Sequence, residues 1–173
     1  MISFVNDVTH HAYGDAIMAL EEQLKEIVVP KEEAVFWMDR FGHWHNEGGR
    51  FEHKKIIDYF NAAIRRDQDG YFVQQVRDDL LEKVYFKYED TPLFVVDAVV
   101  GEGITLLINT GETLSLETDQ LFIHKDHLYL QRGEDRIKFL DRVLLKLADC
   151  IDEDPTNGFF LLTADGRFPI PER

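Results

Sequence analysis

Residues 36–72, FWMDRFGHWHNEGGRFEHKKIIDYFNAAIRRDQDGYF, carry the clearest local grammar in the chain, with both tryptophans and three of the seven histidines. β-formers over 34–38 read as a strand, Asp39-Arg40-Phe41-Gly42 as a turn with glycine at its end, and 43–47 as the returning strand. Gly48-Gly49 then releases the chain into a helix beginning near Glu52. His53, Ile56, Ile57, Phe60 and Ile64 fall on its predicted buried stripe. Asp67-Gln68-Asp69-Gly70 closes that helix, and Tyr71-Phe72-Val73 opens the next strand.

Working outward, 84–89 is rich in β-formers, and Pro92 interrupts it in the manner of an edge or a bulge. Strands over 93–100, 104–109 and 113–116, separated by Gly101-Glu102-Gly103 and Asn109-Thr110-Gly111, read as an antiparallel meander. Turns this tight leave no room for crossover helices, which argues against a doubly wound parallel sheet. The opening grammar then returns. Strands over 121–123 and 128–130 flank Lys125-Asp126. Arg132-Gly133 opens a helix from about Asp135 with the stripe Ile137, Leu140, Val143, Leu144, Leu147 and Ile151. An acidic turn ending at Gly158 leads to a strand over 159–162 and a short last one. Gly49 matches Gly133, Ile57 matches Leu140, Asp58 matches Asp141, Ile64 matches Leu147, and Gly70-Tyr71-Phe72 matches Gly158-Phe159-Phe160. Coincidence of common hairpin and helix grammar is the alternative to duplication.

Upstream, Ile17, Leu20, Leu24, Ile27 and Val28 lie at helical spacing after Gly14-Asp15, and Pro30 ends the run. The expected fold is therefore α+β: two repeated β-rich units (hairpin, helix, strands in antiparallel sheets), each packing one helix, plus an N-terminal helix. The expected organisation is a helical extension over 1–30, a first α+β repeat with its meander over 31–118, and a second, shorter α+β repeat over 119–173. The extension needs a surface to cover, its own domain or a second subunit, so a homodimer through residues 1–30 enters as a partner expectation. A junction between two such lobes is a natural place for a ligand cleft.

Composition narrows the function classes. Nineteen Lys and Arg against 33 Asp and Glu give a formal net charge of -14, which repels phosphate backbones and anionic headgroups at long range. The basic clusters are only the pairs Lys54-Lys55 and Arg65-Arg66. Neither nucleic acid nor a membrane is expected as partner. No apolar run approaches the roughly 18 residues that span a bilayer. The first residues lack the basic start and apolar core of a signal peptide, so the expected location is the cytoplasm. A single cysteine, Cys150, excludes an internal disulfide framework and a cysteine-rich zinc knuckle.

In the order of its motifs the chain resembles a bacterial family of unknown function, domain of unknown function 1285. The matching features are Trp37 with the Gly42-His43-Trp44 hairpin, the Gly48-Gly49 entry to a helix ending in Phe60, and the Asp69-Gly70-Tyr71 turn. They continue with Tyr88-Glu89-Asp90-Thr91-Pro92-Leu93-Phe94, Asn109-Thr110-Gly111-Glu112 and Arg132-Gly133, and run to about Val143. Leu93 stands where the family usually has phenylalanine, the second helix lacks the family's small residues near its start, and 1–30 has no counterpart. The resemblance implies a fold of two repeated α+β units. It implies no activity and supplies no catalytic residue; ligand binding or signalling is the role usually considered for the family.

Among chemistry-bearing groups, His43 and His45 share a strand face, and His53, at the head of the following helix, could swing over them. Three histidines with Glu47 or Glu52 would suit zinc, nickel or non-haem iron. Glu47 is too close and Glu52 too far for a cupin-type site, and ordinary half-exposed hairpin histidines are the plainer reading. Asp67-x-Asp69-Gly70 fails the calcium-loop pattern, since Arg65 and Val76 fall at its first and last ligand positions. Cys150 sits among Asp149, Asp152, Glu153 and Asp154, which disfavour its thiolate. Ser3 and Ser115 lack the nucleophile-elbow context. Glu89-Asp90, ahead of Thr91-Pro92, presents carboxylates at a strand end.

The function expected from these residues is an uncharacterised cytoplasmic module that binds a small molecule or a protein, in a regulatory or signalling role. Its candidate binding residues are Trp37, His43, Trp44, His45, Arg50 and His53, with Glu89 and Asp90 contributed from the second lobe. No catalytic residue and no cofactor are expected. The runner-up is a metal-dependent enzyme with His43, His45 and His53 as ligands. In the second copy Leu128 and Leu130 stand near the places of His43 and His45, so function is expected where the two copies differ.

Overall fold

The computed structural model describes residues 25–173. Over them the first hairpin forms as the sequence reads. Phe36–Met38 (β2) pairs antiparallel with Trp44–Asn46 (β3), and Gly49–Arg50 (β4) pairs with β3. Trp44 explains how the following helix, Lys54–Ala62 (α1), is held. Its ring packs edge-on against Phe36 and Phe60 and tilted against Phe86, with centroids 5.7, 5.3 and 4.8 Å away. Its indole N–H donates to Asn61 Oδ1 at 2.8 Å. The apolar body and the polar edge of one side chain thus pin hairpin to helix.

Helix α1 is shorter than the stripe predicts. His53 is its exposed N-cap, Ile56 is 47% exposed, and Ile64 already belongs to the next strand. Asp67-Gln68-Asp69-Gly70 therefore joins two strands rather than closing a helix. Ile64–Asp67 (β5), Gly70–Arg77 (β6) and Leu80–Tyr85 (β7) form an antiparallel run. Its far edge is Lys25–Val29 (β1), parallel to β7. This corrects the expected N-terminal helix over its last turn: Ile27-Val28-Val29 is a β-branched run, stiff at χ1 and suited to a pleated surface, and Lys83 bridges to Glu26 at 3.2 Å. The remainder of that helix, and the homodimer drawn from it, lie outside the described residues.

Lys87–Tyr88 (β8) joins the first hairpin sheet alongside β2. Thr91-Pro92 then carries the chain into the meander Leu93–Val100 (β9), Ile104–Ile108 (β10) and Thr113–Ser115 (β11). Leu121–His124 (β12) and His127–Arg132 (β13) pair as expected. The helix expected from Asp135 does not follow. Asp135–Phe139 (β14) is a strand, antiparallel to β13 and parallel to β9, which completes a six-stranded sheet ordered β11-β10-β9-β14-β13-β12. Gly133, at φ 57°, turns the chain back in a two-residue loop, and Ile137 and Phe139 are buried in the sheet. Helix α2 spans only Asp141–Lys146 and buries Val143. Ile151–Asp154 (β15), Gly158–Thr163 (β16) and Gly166–Ile170 (β17) close the chain as a three-stranded antiparallel sheet.

The class is α+β, rich in strand, with several mainly antiparallel sheets and two short α-helices among the described residues. One buried cluster runs from Phe36 and Trp44 through Phe94 and Ile137 to Leu161 and Ile170, so both halves of the chain share a core. No helix among the described residues is long and apolar enough to cross a membrane.

Candidate functional site

The turn between β2 and β3 is built on Asp39. Its Oδ1 accepts the backbone N–H groups of Phe41 and His43, both at 2.9 Å. Its Oδ2 meets His43 Nδ1 at 3.1 Å and His45 Nε2 at 3.0 Å. Burial pushes this carboxyl up, but the His43 backbone, the His45 ring, the Phe41 backbone and the His43 ring outweigh it and hold the pKa at about 2. The two histidines thus converge, as their strand spacing requires, on a carboxylate the sequence reading passed over. His53 makes no side-chain cap bond at the head of α1. Among the described residues no three His, Cys, Asp or Glu side chains form a group able to hold a metal ion, so His43, His45 and His53 are not assembled as a ligand set. Trp37, 38% exposed, stacks on His45 with centroids 5.6 Å apart. Trp44 is 1% exposed and belongs to the core rather than to a binding surface. Arg50 is an exposed residue across from His45 on β4.

Glu89 and Asp90 line a cleft. They lie where the chain passes from the first hairpin sheet to the six-stranded one, and the cleft measures about 690 Å³. The cleft is lined by Arg40 from the β2–β3 turn, by His124, Lys125, His127 and Tyr129 from the β12–β13 hairpin, and by Arg136 and Lys138 from β14. Asp90 is its hub. Tyr129 donates its hydroxyl to Oδ2 at 2.7 Å, Lys138 Nζ lies 3.0 Å from the same oxygen, and Arg136 pairs with Oδ1. Lys138 also donates to the Arg40 carbonyl at 3.2 Å. Burial raises the Asp90 pKa, while Tyr129, Lys138 and Arg136 lower it further, so it rests below the ordinary carboxylate range; burial and Asp90 together push the Tyr129 hydroxyl up. The carboxylate is ionised and the phenol protonated at neutral pH.

Thr91 and Lys138 are the buried polar side chains among the described residues, and both belong to this junction, since Thr91 Oγ1 donates to the Arg136 carbonyl. Buried polar groups are retained where they are fully partnered. The cleft sets four cationic side chains, Arg40, Lys125, Arg136 and Lys138, against the two carboxylates of Glu89 and Asp90. Arg40 meets Glu89 Oε2 through its backbone N–H at 3.1 Å and its side-chain Nε at 3.5 Å, and Lys125 has no ion-pair partner among the described residues. The signal that could have found this site is Lys138, a charge set between the core residues Ile137 and Phe139.

Mainly antiparallel sheets sharing one core with two short helices, and a polar cleft at the junction of two of them, define an α+β protein with a fold met in solved structures. A DUF1285 family protein from Silicibacter pomeroyi DSS-3 superposes with a TM-score of 0.58 at 15% identity, over 87% of this chain and 85% of that one. A DUF1285 family protein from Shewanella baltica OS155 gives 0.50 at 18% identity, over 69% of this chain and 94% of that one. The chain therefore has a DUF1285-like fold, as the order of its motifs implied. No protein-family model matches the sequence, and no curated protein does.

Proposed function

We propose that the protein is a binding module that takes a small anionic ligand in the cleft between Arg40, Lys125, Arg136 and Lys138. The observation that carries this is the inversion of charge: a chain of net charge -14 lines one cleft with twice as many cations as carboxylates. Low-dielectric walls focus such a local field, so an anion is drawn in although the rest of the surface repels it. Arg136 gives Nη2 to Asp90, while its Nε and Nη1 have no partner among the described residues and suit a carboxylate or phosphate; Lys125 and Arg40 close the rim. His124 Nδ1–H donates to the Arg173 carbonyl at 2.6 Å, which fixes the ring at the edge of the cleft. A cytoplasmic, regulatory setting belongs to the same proposal.

So does the two-unit organisation. Three short strands, a helix and three antiparallel strands occur in that order as β2–β4, α1, β5–β7 and again as β12–β14, α2, β15–β17. The cleft lies between the leading strands of the two sets, which supports reading it as the junction of a duplicated fold.

Titration calorimetry with inorganic pyrophosphate and with citrate, and spermidine as the opposite-charge control, tests the ligand class. The anions are expected to bind saturably and the polyamine not to enter the cleft. The exposed pair of changes Arg40→Ala and Lys125→Ala is expected to weaken anion binding at least tenfold with an unchanged melting temperature. Absence of saturable binding by either anion at millimolar concentration, or equal binding by the double variant, overturns the proposal.

A further inference from the structure

A second cavity, of about 240 Å³, lies within the C-terminal half, walled by Ile123, Leu128, Leu144, Ile151, Phe159 and Ile170. Four parts of the chain supply this wall: the β12–β13 hairpin, α2, the β15–β16 pair and β17. None of it is shared with the anion cleft except His127 at the rim. An apolar cavity of about 150 Å³ is enough for a benzene ring, so this one admits a ring with a short arm.

The rim is acidic. Asp126 and Glu172 stand at it beside His127, and neither carboxylate has a hydrogen-bond or ion-pair partner among the described residues. Both residues are exposed, on chain positions that the backbone fixes. Asp126 sits in the hairpin turn at φ 61°. Glu172 is held between two backbone bonds, Ile123 N–H to the Pro171 carbonyl at 2.8 Å and Arg173 N–H to the Ile123 carbonyl at 2.9 Å. The neighbouring cations are turned elsewhere. Lys125 lines the anion cleft, and the Arg173 guanidinium lies 4.9 Å from the Phe122 ring centroid. The cavity therefore offers apolar walls to one end of a guest and two uncompensated carboxylates to the other.

We propose that this cavity binds a small primary amine carrying an apolar, ring-sized group, with the ring among Leu128, Leu144, Ile151 and Phe159 and the ammonium at Asp126 and Glu172. The acidic rim selects against a neutral or anionic guest of the same shape, because only the ammonium gains a partner for the charge it keeps.

Phenethylamine is the probe, with 2-phenylethanol and phenylacetate as controls, followed by ligand-observed NMR and calorimetry on the full chain. The amine is expected to bind at least tenfold more tightly than the alcohol, and the acid not to bind. In the surface variant Asp126→Asn/Glu172→Gln the amine is expected to fall to the level of the alcohol. Leu144→Trp, which fills the cavity, is expected to abolish binding of both, with Ile151→Phe as the alternative filling change should the first fail to fold. No saturable binding of the amine at 10 mM, equal binding of amine and alcohol to the parent, or amine binding that survives cavity filling would each overturn the proposal.

Discussion

Asp90 holds the only buried ammonium among the described residues, Lys138 at 5% exposure, and its carboxylate also accepts from the Tyr129 hydroxyl and from Arg136 Nη2. Removing one partner of such a pair leaves the other charge buried and unmatched. Asp90→Asn is therefore expected to cost about 3 kcal/mol in urea unfolding at pH 7. Lys138→Met, which removes the charge and keeps the stem, should cost less, and a larger loss than for Asp90→Asn would show that burial of the ammonium is not the governing cost. Asp39 gives a pH-dependent counterpart. Its folded pKa, about 2, lies below the ordinary 3.8, so the folded state favours the ionised carboxylate. That stability is complete above about pH 5 and is lost as the pH falls through about 2, a drop worth about 2 kcal/mol. The difference in unfolding free energy between parent and Asp39→Asn should accordingly shrink between pH 5 and pH 2, and a difference that stays constant there contradicts the assignment. Neither carboxylate could be ranked from sequence. Glu89-Asp90 was visible as a strand-end pair, but its partners Tyr129, Arg136 and Lys138 lie 39 to 48 positions away. Asp39 looked like a turn residue, which it also is.

At the scale of elements, strands written as alternation bounded by glycine or asparagine were legible nearly to the residue: Leu93–Val100, Ile104–Ile108 and Thr113–Ser115 lie where the meander reading put them. Segments whose pairing is decided elsewhere were not. Ile137, Leu140, Val143 and Leu147 keep helical spacing, yet the first stands on β14 and only the third lies within α2. The six-stranded sheet needs a strand between β13 and β9, and a parallel partner leaves no local mark. The same holds for β1, whose apolar spacing fits a helix until β7 is known. Helix α1 buries none of its residues fully, so its docking rests on a few contacts, chiefly Phe60 and Asn61. Asn61→Ala leaves the Trp44 indole N–H without its acceptor at 2.8 Å, at an expected cost of 1–3 kcal/mol. Leu145→Lys, at a helix position 79% exposed, is expected to stay within about 0.5 kcal/mol. Chemical denaturation of both variants checks the contrast; equal effects would mean that α1 is not anchored through Trp44.

For the whole molecule, the net charge of -14 and the cation-lined cleft make opposite demands on ionic strength. A chain so acidic repels itself more when folded than when expanded, so screening stabilises the fold. The same screening shortens the reach of Arg40 and Lys125 to an anion, since the Debye length falls from about 10 Å at 0.1 M to about 3 Å at 1 M. Raising sodium chloride from 0.02 to 0.5 M is therefore expected to raise the melting temperature while weakening pyrophosphate binding several-fold. Perchlorate, which binds cationic sites itself, should weaken that binding further at equal ionic strength. The ion pairs of the native surface work the other way: Arg132 with Glu112, Arg66 with Glu134, and Arg167 with Asp152 are all weakened by salt. Each exposed pair contributes at most about 1 kcal/mol, whereas the repulsion is summed over 33 acidic and 19 basic side chains. Scanning calorimetry across the salt series decides between them. A melting temperature that rises while affinity falls supports long-range repulsion with a local cationic site; a melting temperature that falls would mean that the ion pairs, rather than the net charge, dominate the electrostatics of the fold.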